Sequence, residues 1–408
     1  MDTIVLQEAK QFTEEDVIPN FKLVVRRGIF TPKTTLTMES LLNIIQTDDF
    51  MFGVIENLQR IYHHKILLYG KIITTLQNNI RKDQAEINLL YDIKHATDNY
   101  PMLQTNKIYL TRIQVICHLL TDKVSSLSDN VSNLRAGFID AICNKEKGLV
   151  SLIGRDDIKH QILQQMFLLS KTASFFIDSF LNIVITGGTG TGKTKLAYVL
   201  SHVYCNIGIL LTNHVTITSP MDFVSKYVGD TGTKTTGVLM HAIEGVLFID
   251  EVYAIADSKE RKSHGDEALA EMVNFLDKYM GLSIVIGAGY KKEIDALFFG
   301  NNEGLSRRFP YRYNLGAYSA SDLTNILIHF IQQKSITSLV IDERFLYTMI
   351  FQLHRFNCFS NAAGDMLTLC NFVIQSFYTS STPNNFQDVM EEAAQLFLSL
   401  SGTTFEIK

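Results

Sequence analysis

The sequence predicts an α/β protein: a parallel sheet sandwiched by helices in a three-layer α/β/α core, with a helical hairpin before it and a helical lid after it. Three observations carry that prediction. Short, apolar, β-branched runs alternate with helical patterns between about 181 and 315, as strands joined by crossover helices do. One of these runs, LNIVIT, opens directly into GGTGTGKT. Another, GVLFID, ends on two adjacent carboxylates, Asp250 and Glu251.

The chain has 408 residues, 46% of them apolar and 19% charged, so it can bury a large core and divide into two or three domains. The pattern places the divisions at 1–145 (mostly helical), 146–316 (α/β core) and 317–408 (helical lid). Residues 1–50 are mixed, with a β-prone run at Phe21–Val25 and a turn-like Thr31-Pro32-Lys33. From about 51, Ile55, Leu58, Ile61 or Tyr62, Ile66, Tyr69, Ile72 or Ile73, Leu76 and Ile80 recur every three or four residues, one apolar stripe on a helix. The pattern breaks at Asn99-Tyr100-Pro101. It resumes through Ile113, Ile116, Leu120, Val124, Leu127, Val131, Leu134 and Phe138. Two long amphipathic helices joined at a proline-containing turn form an antiparallel hairpin. Such a hairpin can dock a partner or simply brace the rest of the fold.

Strands are expected at LNIVIT (181–186), IGILLTN (207–213), GVLFID (245–250), SIVIGAG (283–289) and Phe309–Leu315. Helices take over from Ser319 to about Ser399, the first capped by oxygens of Ser319-Ala320-Ser321-Asp322.

GGTGTGKT (187–194) satisfies the phosphate-loop template G-x-x-x-x-G-K-[ST] at Gly187, Gly192, Lys193 and Thr194, and it lies between a strand and a helix as the motif requires. Gly187, Gly188, Thr189, Gly190, Thr191 and Gly192 turn backbone N–H groups toward phosphates. Lys193 reaches the β- and γ-phosphates of ATP, and Thr194 offers a hydroxyl to Mg²⁺. At the tip of the 245–250 strand, Asp250 can join the Mg²⁺ shell and Glu251 can polarise an attacking water. In SRRF, Arg307 and Arg308 are either solvated charge or a means of reaching a neighbouring subunit's γ-phosphate.

A second glycine-rich stretch, KYVGDTGTKTTGVL (226–239), imitates the phosphate loop but fails it. Counting from Gly229, the template requires glycine where Lys234 stands. It suits a flexing loop that starts a helix running into VLMHAIEG.

With these residues placed, the chain resembles the AAA+ branch of the P-loop NTPases, most of all the clade of red-type Rubisco activases, stage V sporulation protein K and type VII secretion ATPases. The likeness runs from about Leu149 to Phe377. It rests on LIGRDDIK, GGTGTGKTKLA, KYVGDTGTKT, GVLFIDEVYAIA, GDEALAEMV, IVIGAGYKKEID and NNEGLSRRFP, in the family's order. The resemblance implies that Lys193 and Thr194 are the Walker A ligands and Asp250 and Glu251 the Walker B pair. It makes Arg308 the arginine finger, assisted by Arg307, and puts the sensor-1 position near Gly289-Tyr290. Lys226, Tyr227, Val228 and Gly229 would form the pore loop, with Tyr227 gripping an extended polypeptide. The lid departs from the activases: FSNAAGDML puts Ala363 and Met366 where they carry arginines, so no sensor-2 residue is assigned.

The implied function is a ring-forming, hexameric, Mg-ATP-dependent ATPase that remodels or unfolds a protein, in chaperone-like fashion, with the hairpin recruiting the target. Two other classes share the core: a nucleic-acid motor or loader, and a slow nucleotide-gated scaffold. A net charge of −5 argues against broad nucleic-acid binding, and KERK (259–262) is the one basic cluster near the expected pore loops. Five scattered cysteines without a C-x-x-C pair suit a reducing, cytoplasmic or other intracellular compartment. The first 20 residues lack the pattern of a secretory signal. No run approaches the ~18 apolar residues of a membrane span.

Overall fold

A computed structural model describes residues 36–90, 100–225, 230–256, 262–334, 340–379 and 385–400. The Phe21–Val25 run, the Thr31–Lys33 turn, the Lys226–Gly229 tetrad and 259–261 of the basic cluster lie outside the described residues. From Thr37 onward the described chain forms one compact unit.

Helix α1 (Met38–Ile45) starts on a reciprocal cap between Thr37 and Ser40. The hairpin follows as α2 (Asp48–Leu90) and α3 (Tyr100–Ser126). Most of the stripe read from the sequence is buried: Ile55, Leu58, Tyr62, Tyr69, Ile72 and Leu76 are buried, while Ile66 and Ile80 are half-buried. The second arm is not one helix, as its spacing predicts. It stops at Ser126 and restarts as α4 (Val131–Cys143). The side-chain amide of Asn130 donates to the Ser126 carbonyl, and Ser125 Oγ donates to that of Asp122. Short polar side chains here satisfy backbone groups that a continuous helix would use.

Helix α5 (Asp156–Leu168) leads into the sheet. Its strands are β1 (Ile183–Gly187), β2 (Val215–Thr218), β3 (Val246–Ile249), β4 (Ile284–Gly289) and β5 (Tyr311–Leu315). The order is β2-β3-β4-β1-β5 and every pairing is parallel. Ile183 pairs with Ile286 on one side and Tyr311 on the other, which sets β1 inside the sheet. β3 and β4 are buried at every position, as strands covered on both faces must be. Between strands lie α6 (Lys193–Asn206), α7 (Thr231–His241), α8 (Lys262–Lys278) and the short α9 (Glu303–Arg308).

The strand expected at 207–213 is absent; the second strand is VTIT, 215–218. IGILLTN is apolar for another reason. It turns through Gly208 at φ +87° and lies under α2, with Tyr62 Oη donating to the Gly208 carbonyl and Lys65 Nζ to that of Ile209.

The lid comprises α10 (Ala320–Gln333), α11 (Glu343–Arg355), α12 (Ala363–Thr379) and α13 (Phe386–Leu400). They close around a core that includes Leu327, Leu346, Ile350, Leu369, Val373 and Ala393. Ser319 caps α10 by a reciprocal bond with Asp322, as the sequence predicts. Among the described residues no helix is long and apolar enough to cross a membrane.

Candidate nucleotide site

Because all five strands are parallel, their C-terminal ends open on one edge of the sheet, where ligands of α/β folds bind. Three chemically loaded segments meet that edge: 187–194 after β1, Asp250-Glu251 after β3 and Tyr290 after β4.

The 187–194 loop is shaped by backbone rather than by side-chain bulk. Gly190 and Gly192 take φ of +70° and +93°, which costs glycine nothing. Gly192 caps α6 without a side-chain hydrogen bond, so the first-turn N–H groups of a 14-residue helix face the loop unsatisfied by any cap. Such a terminus favours anions. Lys193 Nζ curls back on the carbonyls of Gly187 (3.1 Å) and Gly188 (3.0 Å), leaving its charge at the loop where phosphates would lie. Thr194 is exposed beside it.

Two residues that the motif reading missed brace this loop. Arg155, buried, donates to the carbonyls of Thr191 and Gly316 at 3.0 Å each. Its guanidinium lies 3.9 Å over the ring of Tyr318, whose hydroxyl also donates to the Thr191 carbonyl at 3.0 Å. Arg155 belongs to LIGRDDIK, which the sequence marked as a family segment without a role for the arginine.

The carboxylates differ in setting. Asp250 is exposed and accepts from the Glu251 backbone N–H at 3.1 Å. Glu251 is half-buried and has φ +50°, an uncommon conformation for a non-glycine residue and one that clusters at functional sites. Burial, then the charges of Asp250 and Glu293, push its carboxyl above the usual range, while Lys193 pulls the other way. That Lys193 contribution puts the two groups within electrostatic reach. Tyr290, after β4, sets its hydroxyl 3.3 Å from Thr189 Oγ1, and Lys193 Nζ lies 5.7 Å from its ring centre.

The lid touches the loop through backbone. The Ala363 N–H donates to the Gly190 carbonyl at 3.2 Å, and Asp365 accepts from the Asn361 N–H at 2.6 Å. Met366, at one of the positions where the resembling activases carry arginine, is fully buried.

Arg308 stands elsewhere. Its carbonyl accepts from Asn182, just before β1, so it sits at the opposite end of β1 from the phosphate loop. Five strand residues separate the two ends, roughly 17 Å. Its guanidinium holds Asp277 through Nε at 2.8 Å and a second bond from Nη2, and Nη1 donates to the Gly304 carbonyl at 2.7 Å. Arg307 is exposed.

The residues fit nucleotide and metal: a helix terminus without a side-chain cap beside Lys193 for phosphates, and Thr194 and Asp250 oxygens of the kind Mg²⁺ selects. Residues 183–304 match the family described as ATPase family associated with various cellular activities (AAA). The chain carries an AAA domain.

Its relatives agree. Over 199 residues it is 31% identical to ESX-3 secretion system protein EccA3 of Mycolicibacterium smegmatis, covering 46% of this chain and 32% of that protein. Over 147 residues it is 35% identical to ESX-1 secretion system protein EccA1 of Mycobacterium tuberculosis, covering 36% and 26%. Over 195 residues it is 30% identical to stage V sporulation protein K of Bacillus subtilis, covering 46% and 60%. These are members of the clade that the sequence resembles. The match spans about a third or less of the secretion proteins, so the AAA domain is what they share.

Proposed function

We propose that this chain is a ring-forming, Mg-ATP-dependent ATPase that remodels or unfolds a protein substrate. The observation that carries the reading is the division of the machinery. Lys193, Thr194, Asp250 and Glu251 converge on one edge of the sheet, while Arg308 stands at the other end of β1. An arginine so placed cannot serve its own chain's phosphates. It suits the site of a neighbouring protomer, which is what an assembly of such chains would supply.

In this reading the 187–192 amides and Lys193 hold the β- and γ-phosphates of ATP. Thr194 and Asp250 would hold Mg²⁺, which when bound neutralises charge on the phosphate oxygens. Glu251 takes a proton from the attacking water as its oxygen bonds to the γ-phosphorus. The bond to the β-phosphate oxygen breaks, and ADP and phosphate leave. Arg308 from the neighbour, with Arg307 beside it, stabilises the charge spread over the transferring group. Tyr227, in the Lys226–Gly229 segment just ahead of α7, grips substrate in the pore. The 1–145 region recruits the target, 146–316 hydrolyses ATP and 317–408 forms the lid.

The test is a pair of variants in a steady-state ATPase assay and a substrate-unfolding assay. Glu251→Gln should bind ATP without turning it over, and normal turnover would sink the catalytic assignment. Tyr227→Ala should keep basal ATPase and lose unfolding; retained unfolding would remove the pore-loop role.

A further inference from the structure

The hairpin's second arm buries one face against its neighbours and leaves a different stripe bare. Ile113, Ile116 and Leu120 of α3 are buried, whereas Ile108, Val115 and Leu119 are 61%, 53% and 49% exposed. At 3.6 residues per turn these three fall within about 40° of one another around the helix. Single exposed aliphatics are ordinary, but three aligned on one helix face and rimmed by polar groups are spaced as the anchors of a docked helix are.

A cavity of about 400 Å³ opens beside the stripe, between α3 and the α/β core. Its walls include Arg112, Ile116, Leu119 and Lys123 of α3, with Leu211 and Ile243 opposite. A second depression on the same helix is lined by Lys107, Ile108, Thr111 and Arg112.

The charge around the stripe points to the occupant. Among the described residues, no carboxylate forms an ion pair with Lys107, Arg112 or Lys123. Arg112 is half-buried and donates to the Ile243 carbonyl at 3.4 Å. Two carboxylates line the cavity. Asp122 is exposed, and Glu244 is already held by Lys65 and Tyr69. A chain of net charge −5 has thus collected unpaired cations along one apolar stripe.

We propose that this surface docks an acidic amphipathic helix of a partner protein. Its apolar face covers Ile108, Val115 and Leu119, one side chain enters the cavity, and its carboxylates pair with Lys107, Arg112 and Lys123. The helix-in-groove mode uses this combination of spaced apolar anchors and flanking charge. A second copy of α3 on the same face would bring like charges together, and nucleic acid would leave the aliphatic stripe uncovered. The proposal deepens the recruiting role given to the hairpin and rests on it, but needs no ATP hydrolysis.

The test uses the full chain without nucleotide and a fluorescent peptide with leucines at heptad positions a and d and glutamates at e and g. A twin carries lysines in place of the glutamates. The glutamate peptide should bind with a Kd on the order of 10 µM, and the lysine twin about tenfold more weakly or worse. Arg112→Gln and, at an exposed site that cannot disturb folding, Val115→Glu should each weaken the glutamate peptide about tenfold. Melting temperature and ATP turnover should stay unchanged. Equal binding of the twins, no binding of the glutamate peptide, or indifference to both variants would overturn the proposal. So would a change in oligomeric state on Val115→Glu, which would give the stripe to a second copy. An unsubstituted chain that binds the glutamate peptide but turns over no ATP would count against the ATPase reading alone.

Discussion

Lys65 and Glu244 face each other across the junction of hairpin and α/β core, with the ammonium 2.9 Å from both carboxylate oxygens and the side chains 4% and 1% exposed. Glu244 also accepts from Tyr69 Oη at 2.6 Å and from the Leu211 N–H at 3.2 Å. It does so at φ +60°, two residues before β3, the strand whose far end carries Asp250 and Glu251. The hairpin is therefore fixed to the strand of the candidate catalytic carboxylates. Among the described residues four non-glycine residues have positive φ: Glu244, Glu251, Asn357 and Ala362. Three of them mark this anchor, the candidate base and the lid contact.

That anchor makes a prediction about stability. Removing one partner of a buried pair strands the other charge and costs about 3–5 kcal/mol. Lys65→Met should lower the urea midpoint accordingly. Adding Glu244→Gln should recover part of the loss, since no buried charge is then left alone. If the double variant is no better than the single, packing rather than charge holds the junction.

The sequence made local features legible and left long-range ones hidden. GGTGTGKT, the carboxylates after β3 and the Ser319 cap are each set by a few consecutive residues, and each lies where the sequence puts it. The stripe on α2 was readable because helical period is local. IGILLTN was misread because an apolar run has the same composition whether it is a strand or a turn buried under a helix, and the true strand, VTIT, is short and lies at the sheet edge. Arg155, Tyr318 and Asp277 escaped because their roles exist only after folding: Arg155 meets Gly316 across 161 residues and Asp277 meets Arg308 across 31.

Glu251 predicts a pH profile as well as a loss of turnover. Glu251→Gln should reduce kcat by about 10²–10⁴-fold, the usual worth of a positioned base, with ATP binding retained in a fluorescent-nucleotide titration. A base works only when unprotonated, and burial with Asp250 and Glu293 raises this carboxyl. Turnover should therefore fall with acidification at a higher pH than an ordinary carboxylate would give. Glu293→Gln removes one raising influence, so it should move that acid limb downward while leaving the plateau intact.

Arg308 predicts complementation between protomers. Arg308→Ala should lower kcat by on the order of 10³-fold if the arginine acts on a neighbour's phosphate. Mixing Arg308→Ala protomers with Glu251→Gln protomers should restore part of the activity, because some interfaces then pair an intact base with an intact arginine. Absence of recovery in co-assembled mixtures would place Arg308 outside the site. Asp277→Asn tests the holding contact: losing the paired carboxylate should reduce kcat less than Arg308→Ala does, since only the orientation of the guanidinium is disturbed.

The lid meets the 187–194 loop through backbone, and that contact predicts a KM effect. Gly190 sits at φ +70°, and a Cβ there would come within 1.7 Å of the Asn361 carbonyl oxygen. Ala362 holds φ +47° beside it, and Asp365, buried, fixes the turn by accepting from Asn361. These groups touch the candidate phosphate loop but none of the residues placed at the reacting atoms, so disturbing them should change nucleotide binding rather than the chemical step. Asp365→Ala should raise KM for ATP about tenfold, worth ~1.4 kcal/mol, with kcat nearly unchanged. Asp365→Asn keeps an acceptor for the Asn361 N–H and should stay close to the parent. Gly190→Ala combines an unfavourable φ with the clash and should raise KM further. The sign decides between two roles for the lid: a fall in KM for Asp365→Ala would mean that the lid obstructs the loop, whereas a rise means that it holds the loop in its binding shape.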